Sequence, residues 1–372
     1  MYTSSPIRIL VILAFVLASC TGRSEIAPRP APSGIGTDVE ILVGSSRQRD
    51  ESGAFGAASR GQIRFSSMEI SIPPKHAEGK VEVGGKNPDP ERHFLTRSIQ
   101  PLSASEFRAD IARRLAENPQ YNGEVFIFIH GFNNTMADGV FRAAQIHSDL
   151  GINALPVHYA WPSSGSPLRY AYDRDSVLYA RNGLEELIEE IAAAGGRNII
   201  LLAHSLGSQV MMETLRQMSL RGRGPAWDRI GGVALMAPDI DIDLFHSQVA
   251  DIGPLPQPFL LLVSNRDSAL RLSAQLTGQR TRLGNIGSAT EVGELEVTVV
   301  NVSEFRDTWN THLTAVSSPT LIALLSETNA IEKAFHRDIT TRPGLIPGTI
   351  LTVQNATEII LDPVRIHQET GY

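Results

Sequence analysis

From residue 124 onwards, mostly apolar segments alternate with amphipathic ones. Continuous apolar runs are typical of strands that are covered on both faces of a sheet. The runs occupy residues 124–130, 154–161, 198–203, 231–237, 258–264 and 295–302. Between them, apolar residues recur at helical spacing, as in the stretch from Val177 to Ile191. Alternating strands and helices predict an α/β fold, with a mostly parallel sheet, right-handed crossovers and helices on both faces.

The segment before this alternating part carries elements of its own. Residues 39–44 and 63–72 are strand-like, and the second stretch has apolar residues at every other position. Ser103 and Glu106 have the spacing of a capping box, which predicts a helix that starts there and ends before Pro119. We therefore expect a strand-rich N-terminal lead-in ahead of the α/β core.

The N-terminus has the features of an export signal. The apolar run from Ile9 to Ser19 is too short to cross a bilayer as a helix and fits a secretory signal peptide over residues 1–19. Leu17 to Cys20 resembles the lipobox of bacterial lipoproteins, so we expect cleavage before Cys20 and lipidation of that residue. The residue after Cys20 is Thr21, whereas an Asp at this position would favour retention of the lipoprotein in the inner membrane. The expected location is the bacterial cell envelope, facing the periplasm, with the outer membrane favoured over the inner.

Proline, serine, glycine and alanine dominate the residues after Cys20, and this composition is typical of a flexible tether. The predicted organisation is a signal peptide at 1–19, the lipidated cysteine and tether at 20–36, the lead-in at 37–119, the α/β core at 120–326 and a C-terminal extension at 327–372.

Charge and cysteine content narrow the function classes. A formal net charge of −7 and a pI near 5.8 disfavour binding to nucleic acid, which depends on clustered Lys and Arg. Cys20 is the only cysteine, which excludes an intramolecular disulfide and a cysteine metal cluster. We expect membrane contact through the lipid anchor, no metal and no organic cofactor.

The sequence AHSLG at residues 203–207 allows two interpretations of Ser205. A serine between a strand and a helix is often a helix cap. It is also the position of a nucleophile on a strained strand-to-helix turn, where small residues two places before and after the serine avoid collisions. Ala203 and Gly207 meet that requirement, although glycine is more usual at the first position. The flanking strand and helix favour the nucleophile.

A serine nucleophile needs a base and a carboxylate that orients the base. In this architecture they follow the serine in the order acid, then histidine, each after a later strand. Asp267 follows the run at 258–264 and His312 follows the run at 295–302, so we assign them these roles. The sequence leaves open an acid from the cluster after the preceding strand, which comprises Asp239, Asp241 and Asp243. His246 and His336 are interpreted as surface residues.

The reaction also needs donors for the negative oxygen of its intermediate. Two backbone N–H groups serve in this architecture, one from the residue after the nucleophile and one from a loop after an early strand. These positions correspond to Leu206 and Phe132. His130, next to Gly131, and His204, next to Ser205, are interpreted as orienting or packing residues.

These motifs resemble the alpha/beta-hydrolase superfamily, and more closely a little-characterised bacterial branch of esterase- and lipase-like proteins. The matching stretches lie between about residues 120 and 320, and SIPP at 71–74 is also similar to that branch. The closest matches are FIHGFNNTMADGVFRAAQIHSDLG, YAWPSSGSPLRYAYDRDSVLYAR, LLAHSLGSQVMMETLRQM, LMAPDIDIDLF and VSNRDSALRLS. The resemblance implies an alpha/beta-hydrolase fold and a serine hydrolase site. His312 departs from it, since it stands in a THL context where the family tends to have GHS.

The sequence therefore predicts a serine hydrolase that cleaves carboxylic esters, small or lipidic, through an acyl-enzyme. Two alternatives remain at this point: a catalytically silent envelope protein that binds or assembles partners on a hydrolase scaffold, and an acyltransferase that uses the same residues. The loop from Pro162 to Arg174 is expected to overhang the site, and Trp161 is assigned to the core and not to the pocket.

Overall fold

We describe a computed structural model of the chain, covering residues 26–29, 34–49, 55–85, 87–278, 281–305, 311–327 and 348–361. The predicted signal peptide, Cys20 and most of the tether lie outside these residues, as does His336.

The described chain is organised around one sheet of eleven strands. The strands are β1 (Thr37–Arg49), β2 (Phe55–Ile72), β3 (Leu95–Leu102), β4 (Glu124–Ile129), β5 (Leu155–Ala160), β6 (Asn198–His204), β7 (Ile230–Met236), β8 (Phe259–Val263), β9 (Thr298–Asn301), β10 (Gly348–Val353) and β11 (Ala356–Leu361). Their spatial order is β10-β11-β9-β8-β7-β6-β4-β5-β1-β2-β3. All pairs from β11 to β1 are parallel, whereas β10-β11, β1-β2 and β2-β3 are antiparallel. The expected α/β fold with a mostly parallel sheet is confirmed.

The helices connect the parallel strands. They are α1 (Ala104–Glu117), α2 (Met136–Asp149), α3 (Tyr170–Ala193), α4 (Leu206–Leu220), α5 (Ile242–Ile252), α6 (Ser268–Leu276), α7 (Thr314–Ser317) and α8 (Pro319–Glu327). The predicted capping box at Ser103 and Glu106 is confirmed at the start of α1, where each residue binds the other's backbone N–H.

Strand β4 illustrates how the sheet separates two apolar layers. Ile127 and Ile129 belong to a core cluster on one face, which includes buried residues of α3 and α4. Phe126 and Phe128 belong to a second cluster on the other face, which includes buried residues of α2. Because successive side chains of a strand point to opposite faces, a continuous apolar run is what a sheet covered on both faces requires.

The lead-in and the C-terminal extension both continue this sheet. Strand β1 pairs parallel with β5, with Leu42 opposite Val157, so the lead-in is part of the same layer as the core. Strand β11 pairs parallel with β9, with Ile359 opposite Val300. Among the described helices, none is both long and apolar enough to traverse a bilayer.

Candidate active site

Ser205 occupies a sharp turn between β6 and α4. Its backbone has φ 53° and ψ −124°, a conformation that is costly for a residue with a side chain, by about 1–3 kcal/mol. The turn is held by a hydrogen bond from Ser205 N–H to the Met236 carbonyl, at 2.9 Å. Ser205 does not cap α4, since its side chain accepts no cap hydrogen bond. This strand-turn-helix geometry is the one that a nucleophile elbow requires.

Two glycines allow neighbouring chain segments to approach the elbow closely. A Cβ at Gly207 would lie 2.3 Å from the His130 carbonyl oxygen, so α4 can pack against the end of β4 only without a side chain there. A Cβ at Gly131 would lie 2.8 Å from Cβ of Ser205. Ala203, the departure from the usual glycine, is fully buried in β6.

His312 and Asp267 are brought together from different strand ends. Nδ1 of His312 lies 2.6 Å from Oδ2 of Asp267. Asp267 is completely buried, whereas the His312 side chain keeps 15% of its exposure. The other carboxylate oxygen, Oδ1, accepts the backbone N–H of Leu270 at 3.0 Å, so Asp267 is also the N-cap of α6. Both hydrogen bonds fix the carboxylate, which then fixes the imidazole ring.

The alternative acids have other partners. Asp239 accepts hydrogen bonds from Tyr170 Oη at 2.9 Å and from Ser273 Oγ at 2.7 Å, and Nε of Arg282 lies 3.2 Å from its Oδ1. Burial and the Asp239 charge raise the pKa of Tyr170 to about 12, so the phenol keeps its proton. Asp241 is the N-cap of α5 and Asp243 is exposed. Among the described carboxylates, only Asp267 is paired with His312.

His204 holds the backbone that carries His312. Its Nε2 donates to the His312 carbonyl at 3.0 Å, and the two rings lie 4.6 Å apart. Burial, reinforced by the nearby His312 and Arg142, lowers the pKa of His204 well below its usual value. A neutral imidazole with this hydrogen bond orients His312, in agreement with the orienting role expected of His204.

The loop after β4 lies directly beside Ser205. Gly131, Phe132, Asn133 and Asn134 line the same cavity as Ser205 and His312, and Asn133 has a positive φ of 59°. The N–H of Leu206 belongs to the first turn of α4, where backbone donors have no partner within the helix. The structure therefore brings both candidate donor residues, Phe132 and Leu206, to the edge of the sheet at which Ser205 stands.

His130 fixes the start of this loop. One of its ring nitrogens, Nδ1, lies 2.9 Å from the Gly131 carbonyl and the other, Nε2, lies 3.1 Å from the Trp161 carbonyl. Burial and the charge of Arg47 lower the pKa of His130 well below its usual value, so the ring is neutral. Trp161 stacks on it and is fully buried, as expected of a core residue.

Arg47 is a contributor that sequence reasoning missed. This fully buried residue of β1 donates to the Ser163 carbonyl and to the Asn134 carbonyl, both at 2.7 Å. Burial lowers its pKa to about 10, against the opposing effect of Asp173 and Asp138, so it remains charged near neutrality. Arg47 thus ties two loops of the site together. In the sequence, Arg47 is a polar residue within a strand-like stretch. An arginine on a solvent-exposed strand face would give the same pattern, so the pattern does not reveal that Arg47 is buried.

The surrounding side chains enclose a cavity of about 520 Å³. Its wall combines apolar side chains such as Phe132 and Leu270 with polar ones such as Asn133 and Asp239, a mixture that is found in small-molecule sites. Val83, Leu272 and Leu276 lie along it and are partly exposed. Of the loop expected to overhang the site, Pro167 and Tyr170 line the cavity. The described residues contain no group of His, Cys, Asp and Glu side chains arranged to hold a metal ion.

Comparison with known families identifies the class of this protein. A family model described as "Alpha/beta hydrolase of unknown function (DUF900)" matches residues 103–328, more than half of the chain. The chain belongs to this family, which confirms the resemblance to the alpha/beta-hydrolase superfamily. Among curated proteins, none matches the sequence.

Several solved structures are similar over part of the chain. One of two esterases from Rhizomucor miehei is 11% identical, covers 82% of this chain and 86% of its own, and has a TM-score of 0.40. An esterase from Pyrobaculum calidifontis is 10% identical, with coverages of 81% and 84% and a TM-score of 0.34. Lipase B from Aspergillus fumigatus is 14% identical, and this chain spans about half of it, with coverages of 57% and 54% and a TM-score of 0.34.

Proposed function

We propose that this hydrolase-fold protein cleaves carboxylic esters with Ser205 as nucleophile, His312 as base and Asp267 as the orienting carboxylate. The observation that carries the proposal is the 2.6 Å contact between His312 and Asp267, together with the strained elbow at Ser205 in the same cavity. A helix-capping serine would have no need of positive φ, and a surface histidine would have no need of a buried carboxylate.

Protonation states support this assignment. In the proposed reaction, Nδ1 of His312 donates a hydrogen bond to the Asp267 carboxylate, so Nε2 is the ring nitrogen that takes the hydroxyl proton of Ser205. His204 and His130, the other imidazoles at this edge, have pKa values well below the usual one and both face backbone carbonyls. They are therefore poor bases for this reaction, and His312 takes that role.

The reaction follows from these positions. His312 removes the proton of Ser205 as the oxygen attacks the ester carbonyl, and the N–H groups of Leu206 and Phe132 stabilise the resulting oxyanion. The imidazolium returns its proton to the leaving alcohol, which gives an acyl-enzyme. Water, deprotonated by the same imidazole, then attacks the acyl group and releases the acid and the free serine.

A labelling and turnover experiment tests the proposal. A fluorophosphonate probe reacts with an activated serine, so the full chain should be labelled at Ser205, as peptide mapping would verify. Ser205→Ala should lose the label and hydrolyse p-nitrophenyl butyrate about 10⁴- to 10⁶-fold more slowly. Ser208→Ala, in the first turn of α4, is the matched control and should retain the label, because the Ser208 hydroxyl donates to the Ala203 carbonyl at the end of β6. A folded protein without label would overturn the proposal.

We further propose that Cys20 is lipidated and that the enzyme acts in the bacterial envelope, facing the periplasm, on small-molecule or lipid esters. The apolar residues along the cavity, including the partly exposed Leu272 and Leu276, suit an acyl chain. Metabolic labelling with a palmitate analogue should mark the wild-type chain and not Cys20→Ser. Fractionation of the cell envelope then shows whether the protein is in the inner or the outer membrane.

A further inference from the structure

Arg142 is a cation in the wall of the cavity that the proposed reaction does not use. It lies on α2 and lines the cavity together with Ser205, His204 and His312. Its charge also contributes to the low pKa of His204, which places it near the reacting groups. A charged residue at this location either supports the fold or recognises part of the substrate.

The hydrogen bonds of Arg142 use only one of its three nitrogens. Nη1 donates to the Gly79 carbonyl at 3.2 Å and to Oε1 of Gln145 at 2.6 Å. Within the part of the chain that the structure describes, no atom accepts a hydrogen bond from Nε or Nη2, and neither nitrogen is sealed from solvent. Nε and Nη2 form the edge of a guanidinium that binds a carboxylate or phosphate with two parallel hydrogen bonds.

The carboxylates near Arg142 accept hydrogen bonds from other residues. Asp149 accepts from His76, Gly79 and Gln145, and Glu82 accepts from His76 and Ala77. No carboxylate of the described ranges comes within ion-pair distance of Arg142.

Asp138, one turn before Arg142 on α2, accepts the Thr135 N–H as part of a capping box. The N-terminal end of the α2 dipole stabilises its charge. Asp138 also lines the cavity, so its charge opposes a bound anion to some extent.

Burial makes this arrangement costly without a partner. Burial lowers the pKa of Arg142 to about 10, even though Asp149, Asp138 and Glu82 favour the charged form. The residue nevertheless stays charged near neutral pH. A partly buried cation with two donor nitrogens that no described protein atom engages is favourable where an anionic group can complete its hydrogen bonds.

The bonds through Nη1 also hold the guanidinium in place. Gly79 belongs to the segment that brings Val81 and Val83 to the cavity, and Gln145 is one turn further along α2. A guanidinium fixed on both sides loses little conformational freedom when it binds, which favours specificity for a planar anion.

We propose that Arg142 selects esters that carry a negatively charged group, a carboxylate or phosphate, at a distance from the scissile bond that the cavity spans. The proposal rests on the hydrolase function proposed above and names its substrate class.

Two pairs of chromogenic esters test this selectivity. The first compares mono-p-nitrophenyl glutarate with p-nitrophenyl butyrate and places the charge on the acyl side. The second compares 4-acetoxybenzoate with its methyl ester and places the charge on the leaving group. The readout is the ratio of kcat/KM for the charged ester to that for the neutral ester. We expect the wild type to favour the charged member of at least one pair, and the favoured pair identifies the side.

Variants test whether the preference for charged esters depends on the guanidinium of Arg142. Arg142→Gln should lower the ratio about 10- to 100-fold, the range expected for hydrogen bonds to a charged group. Arg142→Lys should restore part of it. Asp138→Asn, which removes the opposing charge, should raise the ratio, a change that a purely structural role of Arg142 does not produce. Arg216→Gln, a surface arginine paired with Asp251, is the matched control and should leave the ratio unchanged.

A binding measurement separates this inference from the hydrolase proposal. Calorimetry with glutarate should detect binding to full-chain Ser205→Ala and at least tenfold weaker binding when Arg142→Gln is added. Suppose that Ser205 is labelled and esters are hydrolysed, but the ratio of kcat/KM for charged and neutral esters is the same in wild type and Arg142→Gln. This result would overturn the inference and leave the hydrolase function intact. Arg142-dependent glutarate binding in a chain without Ser205 labelling would overturn the hydrolase function alone.

Discussion

Asp267 contacts His312 through one carboxylate oxygen, at 2.6 Å, and caps α6 through the other. One buried side chain therefore links the orientation of the imidazole to the start of a helix. Since both hydrogen bonds are to fixed groups, the carboxylate has no freedom to rotate away from His312.

Replacement of this carboxylate should separate catalysis from stability. Asp267→Asn keeps a good helix cap, so the free energy of unfolding should change by only about 1 kcal/mol. The amide cannot hold His312 in the required tautomer, so we expect kcat to fall about 10⁴-fold, the loss that the same change causes in Ser-His-Asp hydrolases. Kinetics with p-nitrophenyl butyrate and urea unfolding measure the two effects.

The exposed Asp243 supplies the control, since Asp243→Asn should retain activity. Full activity in Asp267→Asn, with loss of activity in Asp239→Asn, would assign the acid to Asp239 instead.

The close approach of Gly131 to the elbow should make that position intolerant of a methyl group. In Gly131→Ala, the new Cβ would lie 2.7 Å from Nδ1 of His204 and 2.8 Å from Cβ of Ser205. Relief of this overlap moves the loop that carries Phe132. We expect a loss of about 1–3 kcal/mol in the free energy of unfolding and at least tenfold in kcat.

Gly224→Ala is the comparison, because an added Cβ there meets no atom within 4 Å. Its unfolding midpoint should remain near that of the wild type. Equal behaviour of the two variants would refute the tight packing described for Gly131.

Removal of the Arg47 charge should loosen the two loops that it joins. Arg47→Met leaves the buried Ser163 carbonyl and the half-buried Asn134 carbonyl without their donor, at a cost of about 3–5 kcal/mol. The loop with Phe132 shifts as a result, so kcat should fall more than KM changes.

Denaturant unfolding and steady-state kinetics measure both quantities. Arg108→Met, which breaks a half-exposed pair with Glu190, should cost about 1 kcal/mol or less and keep kcat. A similar small cost in Arg47→Met would contradict the anchoring role of Arg47.

His76 should make stability depend on pH in the alkaline range. It lies between Glu82 and Asp149, at 2.9 Å from each, with Arg142 on the same helix as Asp149. Burial lowers the pKa of His76, but the two carboxylates outweigh that effect and raise it to about 9. Because this value exceeds the unfolded one, the stabilisation is complete below about pH 6.5 and is lost as the pH rises through about 9.

Thermal unfolding from pH 6 to 10 checks this expectation. The difference in Tm between wild type and His76→Gln should be largest at pH 6 and should shrink towards pH 10. His93→Gln, on the same segment, is the control, because no carboxylate of the described residues is paired with His93. A difference for His76→Gln that stays constant across the range would show that the protonated form is not favoured by folding.

Local patterns were sufficient to predict much of this protein. The order of strands and helices follows from apolar runs and helical spacing, which depend on residues close together in the chain. The elbow at Ser205 is predictable for the same reason, since a strand, a small residue on each side and a helix are all local features. The capping box at Ser103 is a further local signal that the structure confirms.

Contacts between distant residues decided the rest. The sequence offered four carboxylates as partners for His312, and only the order of β7, β8 and β9 in the sheet brings Asp267 to it. Arg47 reaches carbonyls 116 and 87 positions away, and Arg142 lines the same cavity as Ser205 and His312, which lie far from it in the chain. No local pattern records such contacts, because burial and hydrogen-bond partners at a site depend on which surfaces the sheet and its helices bring together.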